Sequence, residues 1–174
     1  MPWLDETGTD DVLVRVSRAT GLPAPLPDVL GLAIRIPFGD QHADLLLSST
    51  GRSALGRYLL APVRSAREAT FSTLLPYRTP TGPALIAATP AQSLGGLDFD
   101  LRVAAPRGAW RRFGRLEIEP DSAADRGHGR DDHISFDAMA NTVPGLNPPD
   151  WVRRLRQPSY RAARRTRGDL RKAP

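Results

Sequence analysis

Apolar and polar residues alternate along much of this chain, with the period of two that is typical of a half-buried β-strand. In residues 97–104, for example, Leu97, Phe99, Leu101 and Val103 alternate with charged residues. The strands predicted from such patterns cover residues 11–17, 30–37, 43–49, 70–77, 83–88, 97–104 and 110–119. We therefore predict a mainly β fold built from antiparallel strands, with few helices.

The segments between these patterns predict turns, loops and one helix. The polar turn 39–42 predicts a hairpin, whereas residues 18–28 hold one Gly and three Pro and predict an irregular loop. Residues 51–67 have a mixed pattern compatible with a short helix. Residues 120–132 are polar and Gly-rich and predict an exposed, mobile loop. Residues 150–174 predict a basic helical tail.

Composition narrows the fold class further. The chain has 174 residues, which by length predicts one domain over residues 1–174. Its 15 Gly and 17 Pro favour short elements joined by turns. No Cys is present, which excludes disulfides and thiolate metal ligands.

Positive charge is concentrated at the C-terminal end. The net charge is +5, and Lys172 is the only lysine. The arginines of the tail are Arg153, Arg154, Arg156, Arg161, Arg164, Arg165, Arg167 and Arg171. Such a patch attracts polyanions, so nucleic acid and anionic surfaces are candidate partners. With no secretion signal and no apolar run of membrane-spanning length, the sequence predicts a cytoplasmic protein.

Candidate chemistry in the tail centres on Tyr160. If the tail is helical, Arg156 lies one turn before Tyr160, and Arg167 lies two turns after it on the same stripe. Guanidinium groups near a phenol favour the phenolate form, which binds ferric iron. The alternative is a solvated basic tail that meets this spacing by chance.

The spacing R-x3-Y-x6-R resembles the haem catalases, which carry it on the helix under the haem. The Phe136-Asp137 pair and the Pro144-Gly145 turn resemble the segment that precedes this helix in the family. The resemblance implies that haem is the cofactor and that Tyr160 is the metal ligand. It also implies that Arg156 tunes Tyr160 and that Arg167 meets a haem propionate.

The N-terminal half resembles the same family. Residues 14–17, Val-Arg-Val-Ser, resemble its V-R-F-S strand, and residues 44–50 resemble its D-L-V-G-N-N-T strand. The resemblance implies a closed antiparallel barrel in which Arg15 meets a propionate. Ser49 falls at the position of the distal, catalytic Asn.

Departures from the family limit the implied activity. The distal His of catalases lies several tens of residues before the V-R-F-S strand, and only thirteen residues precede Val14 here. His42, His128 and His133 lie in polar segments and are interpreted as surface residues. The resemblance to the catalases, in a truncated and divergent form, therefore implies at most weak peroxide chemistry. The alternatives are a non-enzymatic barrel that acts as a binding or scaffold module, and a hydrolase of the phosphodiesterase type, as some short bacterial relatives are labelled.

Overall fold

The structure, a computed structural model, confirms the mainly β, antiparallel fold. It describes residues 3, 7–23, 25–92, 96–119 and 134–151. The strands are β1 (Leu13–Arg18), β2 (Leu30–Phe38), β3 (Gln41–Thr50), β4 (Thr70–Ser72), β5 (Tyr77–Thr79), β6 (Gly82–Pro90), β7 (Leu97–Ala104) and β8 (Arg111–Ile118).

The strands form one sheet in the order β1-β2-β3-β4-β6-β7-β8, with β5 paired to β6 on the side. All pairs are antiparallel, and most strands lie beside the strand that precedes them in sequence. The sheet curls into a half-barrel. Within the described part of the chain, β1 and β8 are the two edges and do not pair with each other.

The concave face of the sheet, called the inner face here, carries the core. Leu32, Ile34, Leu45 and Phe71 are at most 1% exposed and belong to one apolar cluster. The alternation predicted for β7 is confirmed, because Phe99 and Leu101 join the same cluster. The opposite face, called the outer face, carries the residues between these positions.

Helical structure is limited to short turns in the described residues. Two single-turn 3-10 helices, Gly56–Tyr58 and Ala66–Glu68, occupy the segment with the mixed pattern. Residues 150 and 151 are helical. The rest of the predicted tail, and the predicted loop 120–132, lie outside the described residues. No helix in the described part of the chain has the length and apolarity to cross a membrane.

The prediction of one strand over residues 70–77 is wrong. The segment forms β4 and β5, separated by a turn in which Leu74 has a φ of 59°. Leu75 N donates a 2.6 Å hydrogen bond to Thr73 O and closes this turn. Leu74 and Leu75 are apolar, as the residues of a buried strand usually are. The pattern of apolar residues therefore gave no indication that the chain turns between β4 and β5.

Candidate functional site

A cleft opens on the outer face of β1 to β4. It is bounded on one side by the turn after β4 and on another by the C-terminal segment 134–149, and its volume is about 250 Å³. Its lining includes Arg15, Ser17, Gly31, Ala33, Leu46, Ser48, Ser72, Leu74, Leu75, Tyr77, Phe136, Met139, Pro148 and Pro149. Clefts that are mostly apolar with a few converging polar groups are the usual form of small-molecule sites.

The floor of the cleft is a row of small residues that crosses four strands. Strand register pairs Ser17 with Gly31, Gly31 with Ser48, and Ser48 with Ser72. Directly paired residues in an antiparallel sheet point to the same face. The row therefore forms a low, flat floor, and Arg15 lies two residues from Ser17 on the same face of β1.

The C-terminal segment is held on the sheet by an ionic cluster around the buried Asp44, which we call the clamp: Arg35, Asp44, Asp137 and Asn141. Arg35 donates to both carboxylate oxygens of Asp44, from Nε at 2.7 Å and from Nη2 at 2.9 Å. The Asp137 backbone N–H and Asn141 Nδ2 donate to Asp44 Oδ2 at 2.8 and 2.9 Å. One carboxylate thus joins β2, β3 and the cleft wall, and its side chain is fully buried.

Further hydrogen bonds align the segment with the clamp. Asp44 N donates to Asn141 O at 2.8 Å, and Arg35 Nη2 donates to Ser135 O at 2.7 Å. Asp137 Oδ1 accepts from the backbone N–H groups of Met139 and Ala140 and forms a tight local turn. The wall that Phe136 and Met139 contribute to the cleft is therefore fixed by main-chain contacts as well as by charge.

Hydrogen bonding controls the ionisation of Asp44. Burial alone would raise the pKa of this carboxyl group, because it disfavours the charged form. The hydrogen bonds from Arg35, Asp137 and Asn141 outweigh burial, and the pKa of Asp44 lies below its ordinary value of 3.8. The same hydrogen bond to Asp44 raises the pKa of Arg35. Both groups are charged at neutral pH.

We expect the clamp to make folding stability depend on acid pH. Because the pKa of Asp44 is lower in the folded chain than in the unfolded chain, its contribution is fully present well above pH 3.8. That contribution is lost as the pH falls below 3.8 and through the folded value. Urea unfolding midpoints, measured from neutral pH downward, should fall more steeply for the wild type than for Asp44→Asn.

The comparison with Asp44→Asn is needed because a second carboxylate, that of Asp28, also makes the folded chain less stable as the pH falls. Burial would raise the pKa of Asp28, but hydrogen bonds from Thr20 and Leu22 outweigh it and lower that pKa. Asp28 remains in both proteins, so only the difference between the two curves reports on Asp44. Parallel curves for the two proteins would contradict the prediction.

Two guanidinium groups lie close to the ring of Phe136. The Cζ atoms of Arg15 and Arg35 are 5.2 and 4.9 Å from its ring centroid, within the range of cation–π attraction. Arg15 Nη1 also donates to Ile134 O at 3.3 Å. Arg15 therefore both lines the cleft and holds the start of the C-terminal segment.

A strained residue forms part of the opposite wall. In the described part of the chain, Leu74 is the one non-glycine residue with positive φ. A left-handed conformation costs about 1–2 kcal/mol for a residue with a Cβ atom. Strain of this kind often occurs at binding sites, because the surrounding structure has to hold it in place. Ser72 Oγ does so here by accepting a hydrogen bond from Leu74 N at 3.2 Å.

The chain leaves the cleft at a fixed point. Asn147 forms a β-bridge to Arg78, and Pro148 and Pro149 line the cleft. Arg78 then binds both carboxylate oxygens of Asp150 at 2.7 and 2.8 Å. The first residue of the basic tail is thus held beside the cleft.

The structure places the predicted site residues as follows. Arg15 lines the cleft. Ser49 lies on the inner face opposite Phe71, where its Oγ donates to Ala61 O at 2.7 Å and accepts from Leu30 N at 3.0 Å. Its neighbour Ser48 lines the cleft instead. Arg156, Tyr160 and Arg167 lie outside the described residues, so their roles stay predictions.

Sequence reasoning missed the clamp. Arg35 and Asp44 had a visible signal in the sequence, since each is the one residue of the Asp, Glu, Lys or Arg type in its strand. His42 was interpreted as a surface residue, and it is exposed; its Nε2 lies 3.0 Å from Asn141 Nδ2. It does not line the cleft.

Among the described residues, no three His, Asp or Glu side chains come together as a group that could hold a metal ion. No protein-family model, no curated protein and no solved structure matches the chain.

Proposed function

We propose that the protein is a haem-binding module related to the catalases, with at most weak peroxide chemistry. The observation that carries the proposal is the position of the cleft. Arg15 of β1 lines the cleft, and the chain leaves the cleft through Asp150, ten residues before Tyr160. Ten residues span about 15 Å as a helix, so the tail is long enough to bring Tyr160 back over the cleft.

The described walls fit part of a haem group. The row of Ser and Gly residues on the floor leaves room for a flat ring, and Arg15 suits a propionate. The volume of about 250 Å³ is below the roughly 300–1,000 Å³ of most ligand pockets. Haem would therefore fill the cleft and extend beyond its described walls.

In this proposal, Tyr160 is the iron ligand, Arg156 favours its phenolate form, and Arg15 and Arg167 bind the propionates. Haem, when bound, would supply the redox chemistry of peroxide reduction. On the sheet side, the described lining contains hydroxyl groups but no imidazole. A hydroxyl group is a poor base at neutral pH, which is the physical reason to expect slow turnover.

A haem titration tests the proposal. Purified full-length protein titrated with haemin should develop a Soret absorbance band, and Tyr160→Phe should shift this band because the axial ligand changes. The matched control is Tyr58→Phe, since Tyr58 donates to Pro106 O and neither residue lines the cleft. The control should leave the band unchanged.

Two outcomes of the haemin titration would contradict the proposal. Without a Soret band at any haemin concentration, the haem proposal fails. A band that is identical in the wild type and in Tyr160→Phe would remove Tyr160 as the ligand and leave haem binding by other residues.

The second candidate is a binding module without haem, and the size of the cleft favours it. A volume of about 250 Å³ suits a ligand smaller than a porphyrin. No contact in the described residues supports the phosphodiesterase alternative. Binding of nucleic acid or an anionic surface depends on the arginines after residue 151 and stays a prediction.

A further inference from the structure

A single turn on the surface displays three leucines to solvent. Residues 55–60, called the leucine turn here, contain the 3-10 helix Gly56–Tyr58, and the residues that flank this helix are exposed: Leu55 by 79%, Leu59 by 64% and Leu60 by 55%. Single exposed apolar residues are common on protein surfaces, whereas clusters of them mark interaction sites. Exposure this high also means that the leucines project from the surface, and none of them lines the cleft.

The leucine turn is fixed from below by two side chains. Arg57 is 7% exposed, donates from Nη1 to Gly108 O at 3.0 Å, and lies 4.7 Å from the ring centroid of Trp110. Tyr58 donates to Pro106 O. Both contacts join the turn to the loop between β7 and β8. The leucines are therefore presented on a fixed base while their own side chains stay outside the core.

The surroundings of the leucine turn are positively charged. Arg52 and Arg64 lie on either side of it in the chain, and Arg107 lies in the loop between β7 and β8 that holds it. All three are exposed, and none forms an ion pair with a described carboxylate. Arg52 donates to the backbone oxygen of Glu68, the one acidic residue among residues 51–69. Three arginines and one glutamate leave an excess of two positive charges, which attracts an anionic surface.

The size and charge of the leucine turn favour a lipid bilayer over a protein partner. A stable protein interface buries about 800 Å² on each partner, and three leucine side chains offer far less. Two copies of this chain that met through the same turn would bring like-charged arginines together. A bilayer needs no matching shape. Its anionic headgroups attract arginine, and its acyl chains accept leucine.

We propose that the leucine turn docks on the surface of an anionic lipid bilayer. Leu55, Leu59 and Leu60 would enter the boundary between headgroups and acyl chains, and Arg52 and Arg107 would bind headgroup phosphates. The sheet does not have to open, because the leucines are already exposed. This surface is separate from the cleft, so the proposal goes beyond the proposed function and does not depend on haem.

Co-sedimentation of the full chain with vesicles tests the proposal. The protein should sediment with vesicles of phosphatidylcholine and phosphatidylglycerol, and far less with vesicles of phosphatidylcholine alone. Leu55→Ser and Leu59→Ser should each weaken binding by about tenfold, as expected when one leucine is withdrawn from an apolar environment. Arg107→Gln should weaken it by about fivefold, the contribution of one arginine near an anionic leaflet.

The matched control is Leu13→Ser, which also replaces a leucine that is 44% exposed. On β1, Leu13 lies in register with Asp44 of β3 through β2, whereas Leu60 pairs with Thr50, six residues further along β3. The control should bind vesicles as the wild type does. Circular dichroism should show that all variants are folded.

Three outcomes would overturn the proposal. The arginines after residue 151 also attract anionic vesicles, but every variant retains them, so wild-type binding by both leucine variants would assign all binding to those arginines. Absence of vesicle binding by the wild type would leave a protein partner as the occupant of the turn. Self-association in light scattering that is lost in Leu55→Ser, without vesicle binding, would make the occupant a second copy. The haemin titration bears on none of these results.

Discussion

Asp44→Ala is expected to lower the free energy of unfolding by about 3–5 kcal/mol, the usual cost of removing one partner of a buried ion pair. The substitution leaves Arg35, Asp137 N and Asn141 Nδ2 without their shared acceptor. A domain of this size is stable by about 5–15 kcal/mol, so the loss would be a large fraction of the total. Urea unfolding followed by circular dichroism measures it.

The chain provides a matched control for this experiment. Arg78 and Asp150 form an ion pair with the same two-point geometry, but their side chains are 57% and 55% exposed. Asp150→Ala should therefore cost about 0–1 kcal/mol, as is typical of surface pairs. Similar costs for Asp44→Ala and Asp150→Ala would contradict the role given to burial in the clamp.

Phe71→Ala is expected to cost about 3–5 kcal/mol, the range for deleting a fully buried aromatic ring. Phe71 is 0% exposed, and its ring lies edge-on to Phe99 at 5.5 Å between centroids. β4 joins the half of the sheet formed by β1 to β3 to the half formed by β6 to β8. Because β4 has only three residues, the contact between Phe71 and Phe99 is a major link between these two halves. Denaturant unfolding of the purified variant would give the value.

The control for Phe71 is an exposed apolar residue. Leu55 is 79% exposed, and Leu55→Ala should change stability by less than about 0.5 kcal/mol. Phe71→Leu, which keeps most of the buried volume, should cost less than Phe71→Ala. A small effect of Phe71→Ala would mean that the two halves of the sheet are joined elsewhere.

The sequence predicts the strands well where only one face is buried. In β7, apolar and charged residues alternate, so the pattern reveals both the strand and its inner face. In β3, the pattern is ambiguous because Asp44 and Leu45 are both buried. The C-terminal segment covers the outer face of β3, so residues on both faces of this strand are buried. The alternation of apolar and polar residues therefore cannot show whether Ser48 or Ser49 faces the cleft.

The clamp could not be predicted for a different reason. Asp44 and Asp137 are 93 residues apart, and their contact depends on how the whole sheet curls. Local patterns predict elements, whereas contacts of this kind follow from tertiary packing. For Arg15, the family resemblance implies contact with a haem propionate, and the structure places this residue in the lining of the cleft.

The wide sequence separation within the clamp has a consequence for the order of folding. Neighbouring strands of the sheet are mostly consecutive in the chain, so they close short loops and can pair early. The C-terminal segment 134–149 closes a far longer loop when it binds to the sheet. It can make its contacts with β2 and β3 only after these strands have paired. We expect the sheet to form first and the cleft last, so that a ligand binding there would act mainly by slowing the release of this final segment.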